Sequence, residues 1–307
     1  MMKNILIIGG SMFTGRVFSI QASRNGGFNL YVVNRGNHPM ELERVMQYKC
    51  DRHDTQNIAK LVPDIHYDAL IDFCAYNPGE IAPVIDALGG RIKQYVFFST
   101  ASVYTQGAGF LDEDAPLCDI SESGPDTVIN YIRSKIILEH ELADACDKAG
   151  LRYTILRPTF IYGPFNYAPR ESYFIEMIAK KDVVPVPVPI AGHSRFNFVY
   201  VLDIASALMS CIGDGRAYDA AFNLAGDEAI TYPGLIAAFE RFNKEPLRTR
   251  EVTLEQIDTE KLPLPFPLAG DTLVDGGRFS RTFDFKYTPF LEGMEKTFKI
   301  FYSLYTT

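Results

Sequence analysis

The chain has 307 residues, 47% of them hydrophobic and 22% charged, a balance typical of folded globular proteins that excludes a disordered or fibrous chain. At about 150 residues per domain it holds two domains or one large α/β unit with an added lobe. A formal charge of −8 without any basic run argues against nucleic acid as the main partner, and no apolar stretch approaches the roughly 18 residues of a membrane span.

Ile5 to Ile8, bounded by Gly9-Gly10, reads as a strand buried on both faces of a parallel sheet. The N-terminus, Met1-Met2-Lys3-Asn4, runs directly into it, and its apolar core is too short for a signal peptide. Phe13 to Ala22 is helical in composition and Leu30-Tyr31-Val32-Val33 is a second buried strand, which makes β-α-β in about 30 residues. Ala69 to Phe73 and Tyr95 to Phe98 continue as strands around an apolar segment from Ile81 to Leu88. This rhythm predicts an α/β fold, a doubly wound parallel sheet covered on both faces. Thr127 to Ala149 is helical for over five turns with Gly150 as its C′ residue, and Tyr153 to Leu156 returns as a strand. Beyond Arg157 prolines alternate at 185, 187 and 189 and again at 263, 265 and 267; without an N–H they cannot sit in a sheet centre. The five scattered cysteines, Cys50, Cys74, Cys118, Cys146 and Cys211, have no CxxC spacing, so the expectation is reduced thiols in a cytoplasmic protein, with no disulfide framework and no metal site.

The first strand ends in Gly9-Gly10-Ser11-Met12-Phe13-Thr14-Gly15 and leads into a helix. Glycines in such a turn allow a tight bend and close approach of backbone to a pyrophosphate, whose charge meets the helix N-terminus. Gly9 and Gly15 have the outer spacing of GxxGxxG, with Met12 in the middle, so Gly9, Ser11, Met12, Phe13, Thr14 and Gly15 are candidate cofactor contacts. The second strand ends at Asn34-Arg35, where a carboxylate would bind a ribose 2′-hydroxyl; a cationic Arg35, assisted by Arg16, attracts a 2′-phosphate instead. NADP is therefore preferred over NAD. The other reading, two ordinary surface arginines, stays open here. Asp51 and Arg52 follow a third strand, where Asp51 could accept from an adenine amino group or be a solvated loop residue.

Tyr131 is the only tyrosine followed four residues later by lysine, which places Tyr131 and Lys135 one turn apart on the same face of the long helix. The ammonium is expected to favour the phenolate and so make Tyr131 a usable acid/base. Ser99, Thr100 and Ser102 put hydroxyls after a strand, at the carboxyl end of the sheet, where ligands bind in open α/β folds.

With these motifs, and with Arg157-Pro158-Thr159-Phe160-Ile161-Tyr162-Gly163-Pro164 and Arg195 to Asp203, nearly the whole chain resembles the extended short-chain dehydrogenases/reductases, in the NAD-dependent epimerase/dehydratase family. The resemblance implies a Rossmann sheet with a smaller C-terminal substrate lobe: a dinucleotide-binding domain over 1–163 rejoined by 196–224, and a substrate lobe from 164–195 and 225–307. It implies Thr100, Tyr131 and Lys135 as catalytic residues, with Tyr131 the acid/base and Lys135 also on the nicotinamide ribose. Phe73, Cys74 and Ala75 would line the cofactor cleft, Cys74 as packing rather than nucleophile. Ser102, Arg195 and Arg278 are the candidate substrate contacts, and Asp203 would cap the helix from Ile204 onward.

Two departures, Met12 and the non-acidic Asn34-Arg35-Gly36, look like an atypical subgroup that includes chloroplast stem-loop RNA-binding proteins. Ala101 and Ser102 stand where sugar dehydratases carry an Asp-Glu pair, which leaves epimerase or reductase chemistry on a hydroxyl or keto carbon, with a nucleotide sugar as substrate and a homodimer formed through the long helices. The competing class is a non-catalytic NAD(P)-binding regulator or RNA-binding protein on the same fold.

Overall fold

The computed structural model describes residues 2–88, 90–121, 127–188 and 194–307. Seven parallel strands form one sheet: β1 (Lys3–Ile8), β2 (Phe28–Asn34), β3 (Val45–Lys49), β4 (Ala69–Asp72), β5 (Gln94–Phe98), β7 (Arg152–Pro158) and β11 (Ala220–Leu224), in the order β11-β7-β5-β4-β1-β2-β3. The chain builds outward from β1 to β2 and β3, then crosses to β4 on the other side. The gap between β1 and β4 is thus the switch point, where ligands bind at the carboxyl ends of the strands.

Alternate strand residues feed two cores, because successive side chains point to opposite faces. Ile5, Ile7, Leu30 and Val32 pack with α1 (Phe13–Asn25) and α6 (Val201–Cys211). Leu6, Ile8, Tyr31 and Val33 pack with α2 (Thr55–Leu61), α3 (Ala82–Leu88) and α4 (Thr127–Ala149). Both faces are covered, which is why these strands read as unbroken apolar runs.

A third, aromatic core holds Tyr162, Phe174, Phe196, Phe198, Phe239 and Phe298. It gathers β8 (Phe160–Tyr162) and β10 (Phe198–Tyr200), which pair with each other, and the helices α5 (Glu171–Ala179), α7 (Tyr232–Asn243) and α10 (Phe290–Thr306). Of the segment 196–224, only β11 enters the seven-strand sheet; Phe198–Tyr200 pairs with β8 and α6 lies over α1.

Among the described residues, strand β9 (Val184–Pro187) pairs only with β12 (Thr249–Val252), and the Val184 and Val188 amides donate to the carbonyls of Arg248 and Val252. With Val184, Val186 and Val188 facing the partner, Pro185 and Pro187 fall on the open edge, where no donor is needed. Pro189 lies outside the described residues, and the prolines at 263, 265 and 267 lie in irregular chain after α8 (Leu254–Glu260). The remaining pair, β6 (Phe110–Leu111) with β13 (Leu273–Val274), precedes α9 (Gly277–Phe283). No helix among the described residues is long and apolar enough to cross a membrane.

Asp203 differs from its expected role. It sits in the first turn of α6, whose N-cap is Tyr200, and its carboxylate accepts from the Thr288 amide at 2.7 Å and hydroxyl at 2.8 Å. It ties the start of α6 to the segment before α10 rather than capping its own helix.

Candidate active site

A cleft of about 620 Å³ opens at the switch point and is lined by the glycine turn, Arg35, Asp51, Phe73, Thr100, Tyr131, Lys135 and the loop after β8. Gly9 and Gly10 both have positive φ, 92° and 74°, a backbone open to glycine at little cost. A Cβ on Gly15 would lie 2.4 Å from the Gly10 Cα, so this glycine lets α1 pack directly on the turn. Met12, by contrast, has φ −126° and ψ 154°. Its backbone is ordinary extended chain, so the position where the spacing leads one to look for a glycine has no need of one. Gly10, which that spacing skips, carries the left-handed turn; the adjacent Gly9-Gly10 pair was the signal for it.

These features fit a dinucleotide. Met12 gives α1 no side-chain cap and the first turn holds no acidic residue, which leaves the N-terminal amides for a phosphate. Asn34 is drawn inward: its Oδ1 accepts from the Gly36 amide and from Gln47 Nε2, both at 2.8 Å. Arg35 remains exposed on the rim, with the Asp51 carboxylate inside its field. Asp51 also accepts from the His53 amide at 2.9 Å and its ring Nδ1 at 2.7 Å, and those contacts hold its carboxyl below the usual range. Arg52 lines the cleft but spends its guanidinium inward, on Asp72 at 2.7 Å and Glu80 at 3.1 Å.

Asp72 ends β4 and also accepts from the Cys74 amide at 2.9 Å and the Tyr95 hydroxyl at 2.7 Å, which shapes the Phe73-Cys74-Ala75 segment. Burial pushes the Cys74 thiol up to about 12, which disfavours the thiolate that a nucleophile needs. Ala75 contributes its carbonyl. Lys135 Nζ donates to Ala75 O at 2.8 Å and Phe98 O at 2.9 Å, and an ammonium with three N–H groups keeps one for the cleft.

Burial lowers Lys135 to about 8, against the opposing pull of Asp72. Burial also raises the Tyr131 phenol, while a hydrogen bond with Thr100 and the charge of Arg170 pull it down. The expected help to the phenolate from Lys135 thus comes in this structure from Thr100 and Arg170. Thr100 additionally caps the short turn Ala101–Val103, accepting from the Ser102 amide at 3.2 Å.

Below the cleft a buried network fixes α4. Ser99 Oγ donates to Glu139 at 2.5 Å, Glu139 pairs with Arg157 at 2.6 Å, Arg157 donates to the Tyr104 hydroxyl at 2.8 Å, and Tyr104 donates to Asn223 at 2.7 Å. Tyr131, Lys135 and Glu139 recur every four residues, so one helix stripe carries the phenol, the ammonium and the buried carboxylate that anchors it.

The structure does not bring three candidate substrate residues into this lining. Ser102 is exposed on its short turn. Arg195 is paired with Asp271 at 2.5 Å, and Arg278 with Asp114 at 2.6 Å and Glu113 at 3.2 Å. The loop 163–170 supplies residues that the motifs did not single out, among them Asn166, Tyr167 and Arg170. Tyr167 meets Phe13 edge to face at 6.4 Å and Phe165 lies under the Arg16 guanidinium at 5.4 Å, so the loop reaches across to the glycine turn. Arg16 is thereby stacked on a ring and, unlike Arg35, is not among the residues that line the cleft.

A UDP-glucose 4-epimerase from Thermotoga maritima shares the fold at a TM-score of 0.77 and 18% identity, covering 98% of this chain and 99% of that one. A UDP-glucuronic acid 4-epimerase from Bacillus cereus in complex with NAD does so at 0.76 and 15%, again over 98% and 99%. The expected preference for NADP finds no support there. Among curated proteins, chloroplast stem-loop binding protein of 41 kDa b from Arabidopsis thaliana is 28% identical over 250 residues, 77% of this chain; the chain spans only 62% of that relative's length. The family model described as NAD dependent epimerase/dehydratase matches residues 5–225, well over half of the sequence and the part that carries the glycine turn, Thr100, Tyr131 and Lys135, and the chain belongs to that family.

Proposed function

We propose that the chain catalyses nicotinamide-dependent hydride transfer at a hydroxyl or keto carbon of a nucleotide sugar, as an epimerase or reductase. The observation that carries this reading is the meeting of Thr100, Tyr131 and Lys135 with the glycine turn in one cleft. A bound nicotinamide supplies the hydride acceptor or donor. Tyr131 moves the proton of the reacting oxygen, Thr100 favours ionisation of the phenol, and Lys135 is fixed by two carbonyls with one N–H toward the cleft. Because burial raises Tyr131, the phenol keeps its proton at neutral pH and is set to donate to a keto oxygen; removing a hydroxyl proton relies on the opposing pull of Thr100 and Arg170.

NAD is supported by the Bacillus neighbour, and NADP by Arg35 alone, whose charge Asp51 partly offsets. The face of α4 that bears the exposed Val128 and Ile129 is the one a homodimer through the long helices would bury. The Arabidopsis relative favours a second reading, RNA binding on the same fold, against which the charge of −8 stands.

With a panel of UDP-sugars, Tyr131→Phe is expected to lower kcat by about 10²–10⁴ while NAD affinity stays within about threefold. Absence of both hydride transfer and epimer formation in the wild-type protein with every sugar would sink the enzymatic reading. Saturable RNA binding at low salt would then support the second one.

A further inference from the structure

Two carbonyls and two rings surround the Lys135 ammonium: Ala75 O at 2.8 Å, Phe98 O at 2.9 Å, and the Phe97 and Tyr76 rings, whose centroids lie 4.8 Å and 4.9 Å from Nζ. Phe97 and Phe98 end β5 and are fixed by the ladder of the sheet. Ala75 and Tyr76 lie outside that ladder, in irregular chain after β4, where each backbone amide must find its acceptor elsewhere. Half of the ammonium's surroundings therefore depends on whatever shapes this turn.

Glu80 shapes it. Its buried carboxylate reaches back along the chain: Oε2 accepts from the Tyr76 amide at 2.8 Å and the Asn77 amide at 3.1 Å, and Oε1 accepts from Asn77 Nδ2 at 2.8 Å. From the loop after β3, the Arg52 guanidinium meets Oε2 at 3.1 Å and the His53 ring meets Oε1 at 2.9 Å. One carboxylate thus closes the turn that presents the Ala75 carbonyl and the Tyr76 ring to Lys135. The far end of the turn is pinned to the helix that carries Lys135, because Glu141 of α4 accepts from the Gly79 amide at 2.6 Å and from the Ile81 and Ala82 amides at 2.9 Å. A glutamine at position 80 would have the same size but a single acceptor oxygen, and would turn its own N–H groups on the remaining donors.

We propose that Glu80 is a positioning residue, which acts through Ala75 and Tyr76 to hold the Lys135 ammonium in place for the nicotinamide half of a bound dinucleotide. This rests on the function proposed above. Fluorescence titration with NADH, and calorimetry with ADP, which lacks the nicotinamide half, test it on the full chain without a substrate. Lys135→Met and Glu80→Gln are each expected to weaken NADH about tenfold, with ADP affinity within about twofold of the wild type. The double variant is expected to bind NADH no more than about twofold worse than Lys135→Met alone, because a residue that acts through Lys135 then has nothing left to act on. An additive loss, on the order of a hundredfold, would overturn the proposal, as would unchanged NADH affinity in either single variant. Equal weakening of NADH and ADP by Glu80→Gln would place its role at the adenine end and overturn it too. Glu80→Asp, which keeps the charge on a shorter arm, is expected to recover part of the lost NADH affinity, and it carries the same cycle if the glutamine variant does not fold. Failure of the wild type to bind either probe would remove the dinucleotide reading and the proposal with it, whereas NADH binding with an additive cycle would remove the proposal alone.

Discussion

Glu171 shows how much one buried carboxyl can couple this loop to pH. Burial pushes it up to about 7 from an ordinary 4.5, against the hydrogen bonds of Gly163 and Asn166. Between those two values the folded state holds a proton that the unfolded chain has released, so stability falls as pH rises through the window and then levels off. Glu171→Gln keeps an oxygen for the Gly163 amide and removes the charge. It is expected to match the wild type near pH 5 and to exceed it at pH 8 by on the order of 2 kcal/mol. Thermal unfolding at the two pH values checks this, and an equal change at both would refute it. Nothing in the sequence marked Glu171, because its significance comes from burial and not from spacing.

At the scale of elements, α4 is the part whose function depends most on a distant anchor. Its Glu139 is buried against Arg157, which also reaches Tyr104. Glu139→Ala leaves that guanidinium in a dry site without its counter-charge, which costs about 3–5 kcal/mol. Urea unfolding should show a loss of that order, and a loss under about 1 kcal/mol would mean the pair is dispensable. The C-terminal limit of α4, Ala149, was legible because periodicity and the Gly150 stop act within a few residues. The roles of Asp203, Arg195 and Arg278 were not. Their partners Thr288, Asp271 and Asp114 lie 85, 76 and 164 residues away, and nothing local in the sequence tells a surface arginine that binds a ligand from one that meets an aspartate across the fold.

For the molecule as a whole, the doubly wound sheet and the glycine-turn wall of the cleft could be read from the chain, since both depend on the rhythm of short buried strands and on glycines at one turn. The facing wall could not. Asn166, Tyr167 and Arg170 come from a loop with no periodic pattern, and Phe13 and Phe165 hold positive φ, 34° and 65°, which tertiary contact alone imposes on bulky residues. The sheet order has one further consequence, for synthesis. Strand β7 receives β5 on one side, but its other neighbour, β11, leaves the ribosome more than sixty residues later. At about 5–20 residues per second that is an interval on the order of several seconds. During it the nascent chain carries Ile155 and Leu156 on a strand with one bare edge, a template for pairing with a neighbouring chain on the same message. The interval between β7 and β11 is therefore when this protein is most exposed to misassembly, and a chaperone that covers that edge would act there.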